Sequence, residues 1–282
     1  MSTRSIALAN QKGGVGKTTT AVSLAACLAE RGKHTLLLDL DPQANATSAL
    51  GLEKLSGGSV YKALLGSALL ADSIQPSGLE HLDVIPSEVD LAVAEVDVAR
   101  AENYLQRLQF ALTPIQGADR YEFIIVDCPP SLGILTMNGL AAVDSVLVPM
   151  QAEYFALEGL AVITRVLQQI RESGANPSLE LEGIVLTMYD GRTNLAQQVA
   201  AEVRKHFPSK VYKTIIPRTV RLAEAPSFGK PITTYDTGSY AAMCYRSLTD
   251  ELLAPPSAMT EPAPVENAPK VEAPSSTPLP AA

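Results

Sequence analysis

Cysteine and histidine are scarce, and their scatter removes whole classes of chemistry. The three cysteines, Cys27, Cys128 and Cys244, stand far apart without CxxC or metal-ligand spacing. They are expected as buried or half-buried thiols of a reducing cytosol, not as a disulfide or zinc framework. His34, His81 and His206 are equally dispersed. No apolar run reaches the roughly 18 residues of a membrane-spanning helix, and the first residues lack the long apolar core of a secretory signal. A positive balance is missing too. Lys and Arg number 22 against 30 Asp and Glu, a net charge of −8, so any grip on nucleic acid must come from a local patch. What the chain does have is apolar substance: 46% of its 282 residues, ample for a buried core.

The most informative stretch is Lys12-Gly13-Gly14-Val15-Gly16-Lys17-Thr18-Thr19. It follows a strand-like apolar run and opens a helix-like one, the context a phosphate-binding loop requires. Glycines let the backbone turn its N–H groups toward an anion, and the helix that follows begins with free N–H groups and a partial positive end. In this motif Lys17 is placed for the β- and γ-phosphates and the Thr18 hydroxyl for Mg²⁺. The pattern is deviant: Gln11 stands where the usual motif has its first glycine, and a second lysine, Lys12, precedes the glycine pair. A lysine at the mouth of the loop is badly placed for the phosphates of its own subunit. It is better placed to reach a nucleotide across a dimer interface.

Short apolar runs then alternate with helix-like segments. Residues 4–10 read as the first strand, 17–31 as the first helix and 34–40 as the second strand, which ends in Asp39-Leu40-Asp41-Pro42. Pro42 bars helix continuation, so Asp41 is expected at the carboxyl edge of a parallel sheet, beside the loop. There it would polarise an attacking water or hold a water on Mg²⁺. Residues 44–80 read as short helices in a surface excursion, 82–86 as a strand and 87–112 as helical. Residues 121–126 (YEFIIV) form a strand followed by Asp127-Cys128-Pro129-Pro130. An apolar strand ending in Asp is the second NTPase motif, with Asp127 on Mg²⁺, and the turn 129–133 is a candidate γ-phosphate sensor. Further strands are expected at 145–149, 181–188 and 211–216, with helices to about Glu172 and over 193–206. The expected fold is one doubly wound, mostly parallel sheet with helices on both faces, P-loop NTPase-like, spanning residues 1–254. The last 28 residues hold eight of the twenty prolines. Residues 255–282 are therefore expected as a Pro/Ala-rich disordered tail, with no basic amphipathic helix to anchor a membrane.

The blocks NQKGGVGKTTT, LLLDLDPQANATSALG, YEFIIVDCPPSLG, QAEYFALEGL and YKTIIPRTVRLAEAPSFGKPI closely resemble the ParA/Soj chromosome- and plasmid-partition ATPases. These belong to the deviant Walker A class that also includes MinD and the nitrogenase iron protein. The resemblance runs from about residue 4 to residue 253. It implies an ATP- and Mg²⁺-dependent enzyme that forms a homodimer sandwiching two nucleotides. Lys12 resembles the lysine that crosses to the partner's phosphates. Lys17 and Thr18 match the phosphate and Mg²⁺ ligands within the subunit, Asp41 the aspartate needed for hydrolysis, and Asp127 the second Mg²⁺-associated carboxylate. Pro217, Arg218 and Met188 fall where the family surrounds adenine. The resemblance also implies that the dimer binds double-stranded DNA without sequence preference, that a ParB/Spo0J-like centromere-binding protein stimulates hydrolysis, and that the protein is cytoplasmic and nucleoid-associated, with no membrane partner. Arg192 and Arg221 match DNA-contacting arginines. Between residues 187 and 235 eight Lys/Arg face three acids, 8 − 3 = +5 in a chain of −8. The alternatives are a relative that positions another cargo, a MinD-like membrane-positioning ATPase, for which the tail is unsuited, and an iron–sulfur ATPase, for which a second cluster cysteine is lacking.

Overall fold

Runs of Leu, Ile and Val without polar alternation make strands that must be covered on both faces. β2 (TLLLD) and β5 (FIIVD) are such runs, and every residue of each is buried. In the computed structural model, which describes residues 3–53 and 60–254, the first half of the chain runs β1 (Arg4–Leu8), α1 (Lys17–Glu30), β2 (Thr35–Asp39), α2 (Asn45–Ala49), α3 (Val60–Leu64), β3 (Gln75–Pro76), β4 (Leu82–Ile85), α4 (Leu91–Ala99), α5 (Arg107–Gln116) and β5 (Phe123–Asp127). It continues α6 (Ile134–Ala141), β6 (Ser145–Gln151), α7 (Ala156–Glu172), β7 (Glu180–Tyr189), α8 (Asn194–His206), β8 (Val211–Pro217), α9 (Val220–Glu224), α10 (Ile232–Tyr235) and α11 (Tyr240–Leu253). The expected tail, 255–282, lies outside the described residues.

The strands form one eight-stranded sheet in the order β3-β4-β2-β5-β1-β6-β7-β8. All neighbours are parallel except β3, a two-residue antiparallel edge on β4. The strand period of two sorts side chains to the two faces. Ile6, Leu8, Leu37, Ile125 and Leu147 pack with α1 and α11, whereas Ala7, Leu36, Leu38, Ile124 and Val126 pack beneath α3 to α8. The sheet is therefore doubly wound, as expected. β1 sits between β5 and β6, so the chain order reverses at its carboxyl end, where such sheets open a crevice.

Three details depart from the sequence reading. The helical stretch 87–112 is two helices, α4 and α5, broken over residues 100–106, where Asn103 takes a left-handed backbone (φ 52). β6 continues through Pro149 to Gln151. The missing proline N–H is harmless there, because the pairing of β6 with β1 ends at Leu147. The terminal helix α11 was not marked by the strand–helix pattern, yet it seals α1. Tyr245 and Thr20 share a hydroxyl–hydroxyl hydrogen bond of 3.2 Å, Arg31 pairs with Asp250 at 2.6 Å and Arg246 with Glu30 at 2.8 Å.

All three cysteines are buried and free. Burial pushes the Cys27 thiol up to about 12 and raises Cys128 and Cys244 as well. Because the thiolate is the reactive form, none of the three should react with a water-soluble disulfide reagent at pH 8 in the native protein, and all should react in denaturant. A thiol that titrates under native conditions would show that its face of the sheet opens.

Candidate nucleotide site

The residues joining β1 to α1 turn tightly because Gly14 (φ 72) and Gly16 (φ 85) occupy the left-handed region. Gly16 is the N-cap of α1 and supplies no side-chain cap. Three helices have side-chain caps, Thr193 on α8, Thr219 on α9 and Ser239 on α11, each accepting a backbone N–H, whereas α1, like α5, α6 and α7, has none. The first turn of α1 thus presents donors that no side chain satisfies, an arrangement suited to an anion.

Side chains on neighbouring strands pin the loop. Asn10 accepts from Lys12 N at 3.0 Å and donates to Pro149 O at 2.8 Å, while the Thr187 hydroxyl donates to Val15 O at 2.7 Å. The two lysines diverge. Lys17 is buried, donates to Lys12 O at 3.1 Å and faces the cleft. Burial lowers its pKa, opposed by the charges of Asp127, Cys128 and Asp41. The Lys12 side chain turns out of the loop and pairs with Glu153, both being about half exposed.

A cleft of about 380 Å³ is lined by Gly13, Gly14, Gly16, Lys17, Thr18, Thr19 and Asp41, with Met188 as a further wall. A second cavity of about 370 Å³, more apolar, shares Gly16, Thr19 and Met188 with it and adds Pro217, Arg218 and Tyr245. The two form one bipartite site, polar where phosphates would lie and apolar where a base would stack. Met188 adopts a left-handed backbone (φ 47) at their junction.

Asp41 is held in place rather than free to swing. Its Oδ1 accepts from Gln43 N at 2.9 Å, its carbonyl accepts from the Ser87 hydroxyl at 2.6 Å and its N–H donates to Asp39 Oδ1 at 3.2 Å. Asp39 in turn accepts from Thr47 N and Oγ1 at 2.8 and 2.7 Å. Asp127 is fully buried, and neither carboxylate oxygen has a hydrogen-bond partner. The Thr18 hydroxyl faces it, outside hydrogen-bonding geometry. Burial holds both Asp127 and Asp39 above the usual carboxylate range; the Asp39 charge adds to the effect on Asp127, and the Asp41 charge to that on Asp39. Orphaned carboxylate oxygens beside a threonine hydroxyl form a hard-oxygen set that fits Mg²⁺. Among the described residues no three His, Cys, Asp or Glu converge as a metal cage, so the other ligands would be phosphate and water oxygens.

The residues expected at the nucleotide thus come together, but those expected at DNA lie apart from them and are already paired. Arg192 makes a bidentate contact with Asp190 at 2.8 and 2.7 Å, and Arg221 pairs with Glu224 at 3.2 Å and Asp236 at 3.3 Å. The local excess of cations is also divided. Arg192, Arg218 and Arg221 follow the carboxyl ends of β7 and β8, whereas Arg204, Lys205 and Lys210 lie where α8 ends and β8 begins, at the opposite end of the sheet. Asn10, Asp39, Glu153 and Thr187 were not singled out from sequence. Asp39 is the one with a visible signal, an acid ending an apolar strand two residues before Asp41.

A family model described as an AAA domain matches residues 3–181. The chromosome partitioning protein ParA of Myxococcus xanthus is 50% identical over 251 residues, 89% of this chain and 88% of that protein. The sporulation initiation inhibitor protein Soj of Bacillus subtilis is 51% identical over 250 residues, 88% of this chain and 98% of that protein. Among solved structures, cobyrinic acid a,c-diamide synthase from Mycobacterium smegmatis, with bound ADP and magnesium, superposes with a TM-score of 0.75 at 35% identity, covering 89% of this chain and 94% of that one.

The unpartnered carboxylate of Asp127 gives a prediction for the nucleotide-free protein. A folded-state pKa above the unfolded value means that the ionised form is destabilised by folding, so this group costs stability as pH rises and the cost fades on acidification. Asp127→Asn should raise the melting temperature at pH 8, and the gain should shrink as pH falls toward 5. Melting curves across that range check it. A variant that melts lower at pH 8 would show that the carboxylate is satisfied.

Proposed function

The chain belongs to the ParA/Soj family of chromosome-partitioning ATPases, and we propose that it acts as an ATP-gated pair that holds DNA. As an enzyme of this family it hydrolyses ATP to ADP and phosphate. In our reading two copies close over two nucleotides, the closed pair binds DNA without sequence preference, and a ParB-like partner stimulates turnover. The observation that carries the reading is the divergence of the two loop lysines, Lys17 into its own cleft and Lys12 out of it toward Glu153.

The loop backbone of Gly13 to Thr19 and the uncapped start of α1 bind the β- and γ-phosphates. Lys17 adds a buried ammonium group whose burial lowers its pKa, an effect that the charges of Asp127 and Asp41 oppose. Thr18 and Asp127 would hold Mg²⁺, with Asp41 nearby; when bound, the ion neutralises phosphate charge. Asp41, braced by Asp39 and Ser87, orients the attacking water. Met188, Pro217 and Arg218 enclose the adenine. On closure Lys12 exchanges Glu153 for the phosphates of the partner copy. An exposed ion pair is worth only about 0–1 kcal/mol, so this exchange is cheap.

The same arithmetic applies to DNA. Arg192 and Arg221 are exposed and their carboxylate partners compete weakly, so phosphates displace them. One copy offers few contacts, and pairing two copies doubles them, which raises both affinity and salt dependence.

Asp41→Ala should retain ATP-dependent pairing, seen as a doubled mass by light scattering, while turnover falls by roughly 100-fold or more. An unchanged mass with and without ATP in that variant would remove the dimer from the mechanism. Arg192→Ala with Arg221→Ala should keep ATP-driven pairing and lose DNA affinity, with a shallower dependence on salt, by about 0.9 per phosphate contact removed. Unaltered affinity and slope would place the DNA surface elsewhere.

A further inference from the structure

A third cavity, of about 280 Å³, adjoins the bipartite site between α1, α2 and the 3-10 turn Ala225–Phe228. Val22, Ala49, Ala225 and Ile232 give it buried, apolar walls. Thr19 and Leu222 line both this slot and the apolar chamber read as the adenine pocket. Thr18 and Asn45 line both the slot and the phosphate cleft. The slot thus shares walls with the nucleotide site without being either of its chambers.

Its walls are held at a fixed spacing. Phe228 stacks on Tyr235 with ring centroids 4.9 Å apart, and the Tyr235 hydroxyl donates to Glu224 at 3.1 Å, which ties the turn to α10. Gly51, just past α2, meets Gly229 backbone to backbone: a Cβ on Gly229 would lie 2.6 Å from Gly51 Cα. Both glycines are left-handed (φ 72 and 61), so a side chain at either would strain the contact that joins the two walls. A cavity framed in this way is pre-formed, as small-molecule sites usually are.

Its charge is of one sign. No Asp or Glu lines the slot, and its one charged residue is Lys230. The other charged residues of 219–236 are Arg221, Glu224 and Asp236, and these pair with one another. Lys230 is exposed and makes no ion pair among the described residues. An apolar slot with one unpaired cation at its rim favours an apolar body bearing a single negative charge. We propose that this slot binds a small amphipathic anion, a compact ring body carrying one carboxylate, at a site separate from the nucleotide. The occupant lies against α2, whose Thr47 holds Asp39 and so bears on the support of Asp41.

The test uses the full chain without DNA, so it stands apart from the pairing and DNA readings. Calorimetric titrations compare two probes, naphthoate and its neutral counterpart naphthylmethanol. Naphthoate should bind one site per chain, more tightly than the alcohol, and should still bind in saturating ADP and Mg²⁺. Lys230→Gln should weaken naphthoate roughly threefold to fivefold, the reach of a single exposed ion pair, and leave naphthylmethanol unchanged. Ser48→Phe places a ring in the slot and should abolish binding of both probes. Melting temperatures check that the variants fold; if Ser48→Phe melts low, Lys230→Gln and hydrogen exchange decide, with naphthoate slowing exchange at residues 45–49 and 222–232. Absence of saturable binding, equal affinity for the two probes, or displacement of naphthoate by ADP would overturn the proposal. Undiminished naphthoate affinity in a folded variant, or protection only elsewhere, would do the same.

Discussion

An ammonium group nearly out of water, at the start of a helix and faced by carboxylates, is the constraint on which the rest of this molecule depends. Lys17 loses hydration by burial and regains stabilisation from Asp41 and Asp127. Those acids are in turn costly to bury: Asp127 has no hydrogen-bond partner, and Asp39 is accommodated only through Thr47 and Asp41. The cluster is poised rather than satisfied. A polyanion with its counter-ion would resolve the imbalance, which is why the site is better understood as half of a complex than as a finished core.

The loop geometry was legible because glycine, lysine and threonine at fixed spacing leave few physical alternatives, and the doubly wound sheet because its strands are uniformly apolar. The supports were not legible. Thr187 reaches Val15 in the loop from 172 positions away in sequence, and Asn10, at the foot of the loop, is tied to Pro149, 139 positions away; no local pattern encodes such contacts. The turn between α4 and α5 was hidden by helical periodicity on both sides of it. α11 was missed because a strand–helix alternation offers no further strand for it to follow; its assignment comes from what it covers.

Charge counted along the chain misled in a different way. An excess of five cations over residues 187–235 reads as one patch, but α8 runs the length of the sheet and carries part of that excess to its far end. Of the arginines left near the carboxyl edge, Arg192 and Arg221 each hold a local acid. The surface potential that matters is therefore set by a few side chains and by how readily their neighbours give them up, not by net composition.

The closing position of α11 has a consequence for how the protein is made. The first strand ends up in the middle of the sheet, between partners that begin at residues 123 and 145. The helix after it is covered by residues 240–253, and Tyr245 is part of the cavity wall. Arg4 even donates to Leu252 O at 3.1 Å. On the ribosome the amino-terminal motif emerges early but must wait for nearly the whole chain before its surroundings exist. A nascent or truncated polypeptide would carry the signature loop in full and still have no completed pocket, so competence for nucleotide arrives in one step, late in synthesis.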